Sequence, residues 1–268
     1  MSEEHVLFRK EGMVGILTMN RPEVLNAMSE PMLEGLIRYT QQAIDDPEVR
    51  CLVLTGAGRG FCAGGDVKAM ASGAGDGVSN APGLAARAFQ LRQRMEISRL
   101  LHEGAIPTIA AVNGAAAGAG LSLALACDIR IASDQAKFTT AFARVGFSGD
   151  FGGTWFLQRL VGPAKARELY YLAPLLDAKE AERIGLVNKV VPHDQFWDEV
   201  MAVAKQLAAG PPIALARMKD NFNFGATHSL AETLTREAEN HTFCGTTEDH
   251  RNAAKAFVEK REPVFHGR

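Results

Sequence analysis

Three glycine-rich stretches and one aspartate carry the chemistry that can be read from this chain. The first stretch is 106–128, IPTIAAVNGAAAGAGLSLALACD. Taken whole, it is apolar and long enough to suggest a membrane helix. Pro107 and the turn signal Asn113-Gly114 break that reading. The better parse is a buried strand over 108–112, a turn, and a helix over 118–126, with Gly118 and Gly120 admitting another backbone close by. The first N–H groups of such a helix lack intrahelical partners and sit at the positive end of its dipole. They suit a phosphate, or an oxyanion that forms during a reaction. In isolation, close helix–strand packing explains the same glycines. The second stretch, GAGRGFCAGGDVKAM at 56–70, follows the apolar strand CLVLT at 51–55 and repeats the strand-to-helix turn. The third, SGDFGGT at 148–154, holds Asp150 near Phe142, Phe147, Phe151 and Trp155. By itself Asp150 reads as a loop aspartate bonding its own backbone. Facing an apolar pocket, it would have a raised pKa suited to moving protons.

The elements that must hold these turns alternate along the chain. Residues 6–9 and 14–19 read as a β-hairpin. Ser29 is a candidate cap for a helix over 31–45. The Gly/Ser-rich stretch 72–83 reads as a mobile loop within a domain. A helix is expected over 84–103, strands over 129–132 and 136–138, and helices over 155–160 and 163–172. Asp177 caps a short helix in AKEAERIG, and 186–191 reads as a strand. From Asp194 the chain reads as helical, broken at Pro211-Pro212, Phe224-Gly225 and Cys244-Gly245, with a last helix near 247–260. Repeated β-then-α followed by helices alone implies an α/β fold with a parallel sheet of crossover units. Residues 1–200 form the expected core and 201–268 a C-terminal helical region, which would dock on a neighbouring subunit or simply pack.

Composition narrows the function classes. Of 268 residues 47% are hydrophobic, enough for a sizeable core. A net charge of −2 gives no electrostatic case for nucleic acid. The four cysteines form no CxxC pair, as expected of a reduced intracellular chain. The seven histidines show no ligand spacing, so no metal is expected. The opening MSEEHVLFRK has no apolar signal core, which fits a cytoplasmic protein away from membranes.

In order and spacing, several motifs together resemble the crotonase (enoyl-CoA hydratase/isomerase) superfamily. They are RPEVLNAM at 21–28, GAGRGFCAGGDVKAM at 56–70 and IPTIAAVNGAAAGAGLSLALACDIRIAS at 106–133. They continue with GGTWFLQRLVG at 152–162, AKEAERIGLVNKVVP at 178–192 and AFVEKREPVF at 256–265. The resemblance implies a spiral of ββα units with a C-terminal helical trimerisation region, forming a homotrimer or a hexamer as a dimer of trimers. It implies acyl-CoA thioester substrates, with coenzyme A part of the substrate and no separate cofactor. It also implies an oxyanion hole from the N–H groups of Gly65 and Ala119, where Ala replaces the family's usual Gly. That replacement is harmless if φ is negative, since only the N–H is used. The same resemblance places the CoA adenine near Ala63 and the backbone of Asp66, Val67 and Lys68, and the ribose-phosphate near Asn26 and Ala27. Phe257 and Lys260 of the last helix are further CoA candidates. Asp66 itself reads first as a helix cap.

Which reaction follows depends on the carboxylates. The family's hydratases use two glutamates, and those positions here are Ser122 and Phe142. Phe142 reads as pocket wall, and Ser122, without a partner base, as helix packing. Asp150 stands where several isomerases and some aryl-CoA-processing members carry an aspartate. One carboxylate suffices to move a proton between two carbons of an enolised acyl chain. Double-bond isomerisation is therefore expected. Hydration, aryl-CoA chemistry through Asp150, or a non-catalytic CoA-binding role are the alternatives.

Overall fold

In the computed structural model, which describes residues 4–66 and 81–268, the chain opens with β1 (Val6–Glu11) and β2 (Val14–Met19), an antiparallel hairpin. Helix α1 (Glu30–Asp45) follows, and Ser29 caps it by accepting the Met32 N–H. Three strands then join β2 in parallel: β3 (Cys51–Gly56), β5 (Thr108–Val112) and β7 (Ile129–Ser133). The last strand of this six-stranded sheet is β10 (Lys189–Val191), parallel to β7.

The sheet is covered on both sides, which is why its strands read as continuous apolar runs. Period-two alternation divides them. Cys51, Val53, Ile109 and Ala111 face one helix, α8 (Phe196–Ala209). Leu52, Leu54, Ala110 and Val112 face the larger core, which also takes in α1, α3 (Glu96–Glu103) and α4 (Ala119–Ala126).

A second sheet is what makes the units ββα rather than βα. It contains β4 (Gly60–Cys62), β6 (Ala115–Ala117), β8 (Lys137–Thr139) and β9 (Leu176–Asp177). β3, β5 and β7 each lead within a few residues into β4, β6 and β8. The crotonase-type spiral expected from the motifs is therefore present, with the C-terminal helices α9 (Pro212–Gly225), α10 (Leu230–Gly245) and α11 (Glu248–Glu259).

Four boundaries differ from the sequence reading. β6 intervenes between the Asn113-Gly114 turn and α4; an all-alanine strand carries no β signal and is held only by its neighbours β4 and β8. The helix expected over 84–103 is two, α2 (Leu84–Arg94) and α3, joined at Met95. The strand expected over 186–191 starts only at Lys189, because Leu186 and Val187 are buried in the core as part of the turn after α7 (Ala178–Arg183). Helix α5 (Gly153–Val161) begins two residues early, inside the SGDFGGT loop. The expected loop at 72–83 lies, up to residue 80, outside the described residues. α6 (Pro163–Leu172) has the expected bounds.

The helical tail is tied down by one buried ammonium. Lys219 on α9 donates to Leu101 O (2.9 Å), Ile106 O (3.1 Å) and Asp128 Oδ2 (2.9 Å). Asp128 Oδ2 also accepts from Thr108 N and Oγ1, at 2.8 and 3.1 Å. Replacing Lys219 by Met keeps its aliphatic stem but takes one donor each from two carbonyls and a carboxylate, of which Leu101 O and Asp128 Oδ2 still face Thr108. Because Asp128 is partly open to water, the loss is expected to be about 2–3 kcal/mol, below that of a fully buried pair. Denaturant unfolding of the K219M chain checks this.

Candidate active site

The site is built where residues 63–65 lie between two other backbones. On one side, Ala63 N–H donates to Leu25 O (3.0 Å), Met28 N–H donates to Gly64 O (2.7 Å), and Met28 pairs with Gly65. On the other side lie Ala117 and Ala119: a side-chain carbon at Gly64 would stand 2.7 Å from Ala117 O and 3.3 Å from Ala119 N. Gly118 makes the turn into α4 at φ 52°, ψ −125°, a conformation closed to residues with a Cβ. Its N–H donates to Thr139 O of β8. Gly120 has no room for a side chain because Cys62 O lies against it. Of the two glycines expected to admit a close backbone, Gly120 does so, while Gly118 is needed for its backbone angles. Ala119 is the first residue of α4, outside the positive-φ residues, so its Cβ is unstrained and its N–H belongs to the unpaired first turn.

Gly65 and Ala119 open on one cavity of about 190 Å³. Ala63, Phe142 and Asp150 line it too, with Met28, Leu91 and Phe147 completing an apolar wall. Asp150 is the one titratable side chain among the described residues lining it. Its Oδ1 is buried. The turn that carries it is stiff. Phe151 is fully buried at φ 48°, and its carbonyl accepts from Ser98 Oγ at 2.8 Å. A phenylalanine in left-handed backbone is uncommon, and here burial of the ring holds it there.

Other expected residues fall elsewhere. Trp155 is not part of this pocket; it faces His102 and Phe156, with Arg159 over its ring. Asn26 is wholly buried at φ 56°. Its Nδ2 donates to Ala57 O, Gly60 O and Phe61 O, and its Oδ1 accepts Arg21 N–H. Both ends of the side chain are engaged within the chain, where it shapes the turn at 57–61. Ala27 is also buried, its carbonyl accepting from Arg21 Nη1. Asp66 lies 3.8 Å from Arg21 Nη2 as an ion pair; the helix it was expected to cap, with Val67 and Lys68, lies outside the described residues. Phe257 is exposed on α11 and Lys260 just beyond it, and neither lines the cavity.

One neighbour of the site escaped the sequence reading. Tyr170 of α6 stacks on Phe142, with ring centroids 5.8 Å apart and planes at 13°, and its ring lies against Gly149. Burial first, and then the Asp150 carboxylate, push its phenol up to about 12. Nothing in its helix marks it out, since the position is set by how α6 packs on the Asp150 turn.

Known proteins resemble this chain over nearly its whole length. The enoyl-CoA hydratase/isomerase family matches residues 9–268. A 1,2-epoxyphenylacetyl-CoA isomerase of Escherichia coli is 38% identical, covering 99% of both chains. A crotonyl-CoA hydratase of Syntrophomonas wolfei is 36% identical, again over 99% of both. The crystal structure of an enoyl-CoA hydratase from Polaromonas sp. JS666 superposes with a TM-score of 0.90 at 33% identity, covering 97% of this chain and 99% of the other.

Cys62 lies beneath the site, and burial pushes its thiol from the ordinary 9.0 to about 12, as it does those of Cys51 and Cys127. At pH 8 only about one in ten thousand such thiols is ionised. Iodoacetamide at pH 8 is therefore expected to label the half-buried Cys244 and spare the other three in the folded chain, as peptide mapping would show. The folded-state values lie above the ordinary one. The neutral thiols thus contribute fully to stability below pH 9, and the contribution is lost as pH rises toward 12.

Proposed function

Because the chain belongs to the enoyl-CoA hydratase/isomerase family, we propose that it isomerises the double bond of an acyl-CoA thioester. Gly65 and Ala119 N–H groups receive the charge that develops on the thioester oxygen, and Asp150 moves the proton. The observation that supports this reading is the shared cavity: Gly65, Ala119 and a single described carboxylate, Asp150, line one apolar space. Charge on the thioester oxygen makes an α-carbon proton removable, and each such donor is worth about 3 kcal/mol of transition-state stabilisation. The apolar wall excludes water, which strengthens those donors and leaves the proton with the carboxylate.

With one acid, the proton leaves one carbon and returns to another through the same group. Adding water across the bond asks for a second group to hold the water, and the two positions that would supply it carry Ser122 and Phe142. Hydration through Asp150 is the second reading, favoured by the hydratase names among relatives. Coenzyme A enters as part of the substrate. A homotrimer or dimer of trimers is the proposed assembly, supported by exposed Phe222, Phe243 and Phe257 on α9, α10 and α11. In such an assembly Phe257 and Lys260 would meet the CoA of a neighbouring protomer.

Asp150→Asn keeps the shape of the side chain and removes the base. It is expected to lower turnover of a 3-enoyl-CoA by 10²- to 10⁴-fold while acyl-CoA affinity changes less than threefold. Steady-state rates and calorimetric titration measure the two. In heavy water the wild type should return the 2-enoyl isomer with little deuterium at carbon, because the shuttled proton is shielded from solvent, and with no hydroxyacyl product. Accumulation of the hydroxyacyl-CoA would favour hydration instead, and unchanged turnover by D150N would remove Asp150 from the mechanism.

A further inference from the structure

Asp150 is aimed by the residue that follows it, and that residue is held from two sides. Gly153 N–H donates to Asp150 O at 3.0 Å and closes a tight turn. Its central residues, Phe151 and Gly152, both have positive φ, 48° and 77°. That is the pattern of a type I′ turn, which favours Asn, Asp or Gly at its first central position. Phenylalanine has no local reason to stand there. On its other side Asp150 follows Gly149, at φ 111°, and a glycine leaves its neighbour free to turn. What fixes the direction of Asp150 therefore comes from Phe151.

The Cα of Phe151 carries three heavy substituents: its ring-bearing Cβ, its carbonyl, and the nitrogen that leads back to Asp150. The ring is fully buried in the larger core. The carbonyl accepts from Ser98 Oγ at 2.8 Å, the usual length for a hydroxyl donor. A tetrahedral carbon of fixed hand with two substituents held has one direction left for the third. With the ring alone held, the Cα still pivots about its bond to Cβ, and Asp150 swings with it. Ser98 is 5% exposed and stands on α3, 53 residues away in sequence. That helix is braced from α9: Leu101 O accepts from Lys219 Nζ and His102 O from Asn223 Nδ2, each at 2.9 Å. These are carbonyls of the kind that a helix end leaves without intrahelical partners.

We propose that Ser98 is a positioning residue for the proton shuttle: by holding the Phe151 carbonyl it keeps the Asp150 carboxylate aimed into the cavity. The inference rests on the reading of Asp150 as the shuttle. Ser98 does not line that cavity and acts on the substrate only through the turn. A buried serine that merely satisfies a carbonyl contributes to stability and leaves the chemistry alone. Here the carbonyl belongs to the residue after the acid, in backbone that its own side chain disfavours. Misplacement of a reacting group by about 1 Å is enough to cost on the order of 10²-fold in rate.

The test uses the full-length enzyme on a 3-enoyl-CoA in heavy water, well below the unfolding temperature. Ser98→Ala should lower kcat roughly five- to thirtyfold with KM within twofold. A several-fold larger share of its product should carry deuterium than in the wild type, because a carboxyl that wanders from the apolar cavity exchanges its proton with solvent before returning it. Thr55→Val is the control for stability alone, since it also removes a hydroxyl donor from a buried carbonyl, Ala111 O at 2.9 Å. It should lower the unfolding midpoint while kcat and deuterium content stay those of the wild type. Added to D150N, S98A should lower kcat no further, because both act through one group. Wild-type kcat and deuterium content in S98A overturn the proposal. So does a loss that multiplies with that of D150N, or an equal rise in deuterium in T55V. Unchanged turnover in D150N alone is a distinguishable result: it removes Asp150 from the mechanism, and the role of Ser98 falls with it.

Discussion

Everything at the centre of this molecule depends on the close approach of two backbones, residues 62–65 and 117–120. At Gly64 and Gly120 a single added carbon would strike the opposite chain. Close packing is usually a matter of side-chain shape; here it is main chain on main chain, and the side chains have been removed to allow it. Gly65 and Ala119, more than fifty residues apart in sequence, consequently line one cavity. The second sheet secures the register, since β4 and β6 are adjacent strands in it. The ββα repeat is thus the device that sets one Gly-rich turn beside the next.

Around that contact, side chains are spent on holding backbone. Asn26 satisfies three carbonyls of the 57–61 turn with one amide, and a buried carbonyl left without a donor would cost about 1–3 kcal/mol. Lys219 does the same for two carbonyls and a carboxylate at the far end of β5. Ser98 holds the carbonyl of Phe151. These polar groups are buried because the irregular backbone they satisfy is buried.

Much of this was legible in the sequence because its signals are local. Ser29 and Asp177 each precede a helix and each caps it through a side-chain oxygen. CLVLT announces a strand covered on both faces, and Pro163 fixes the start of its helix. β6 was not legible, since three alanines state no preference and pairing alone makes them a strand. The burial of Asn26 has no local signal, since it follows from a chain 31 to 35 residues away. Trp155 packs against His102 and Phe156 away from the cavity, a direction fixed only once Gly153 is known to start α5. Tyr170 shows no signal of its own, because its meaning arises from the approach of two helices.

Phe151 has a consequence for the breadth of acyl groups that the cavity can take. Its ring is embedded in the common core while its backbone turns left-handed, so the loop bearing Asp150 cannot yield without extracting an aromatic side chain. The acid is mounted on the immovable wall of the vessel. Adaptation to bulkier or differently shaped tails then falls to other lining residues, among them Met28 and Leu91, whose side chains re-orient more readily. Evolution of new selectivity in this scaffold would accordingly be expected to leave the turn at 149–153 untouched and to accumulate its changes in those other residues.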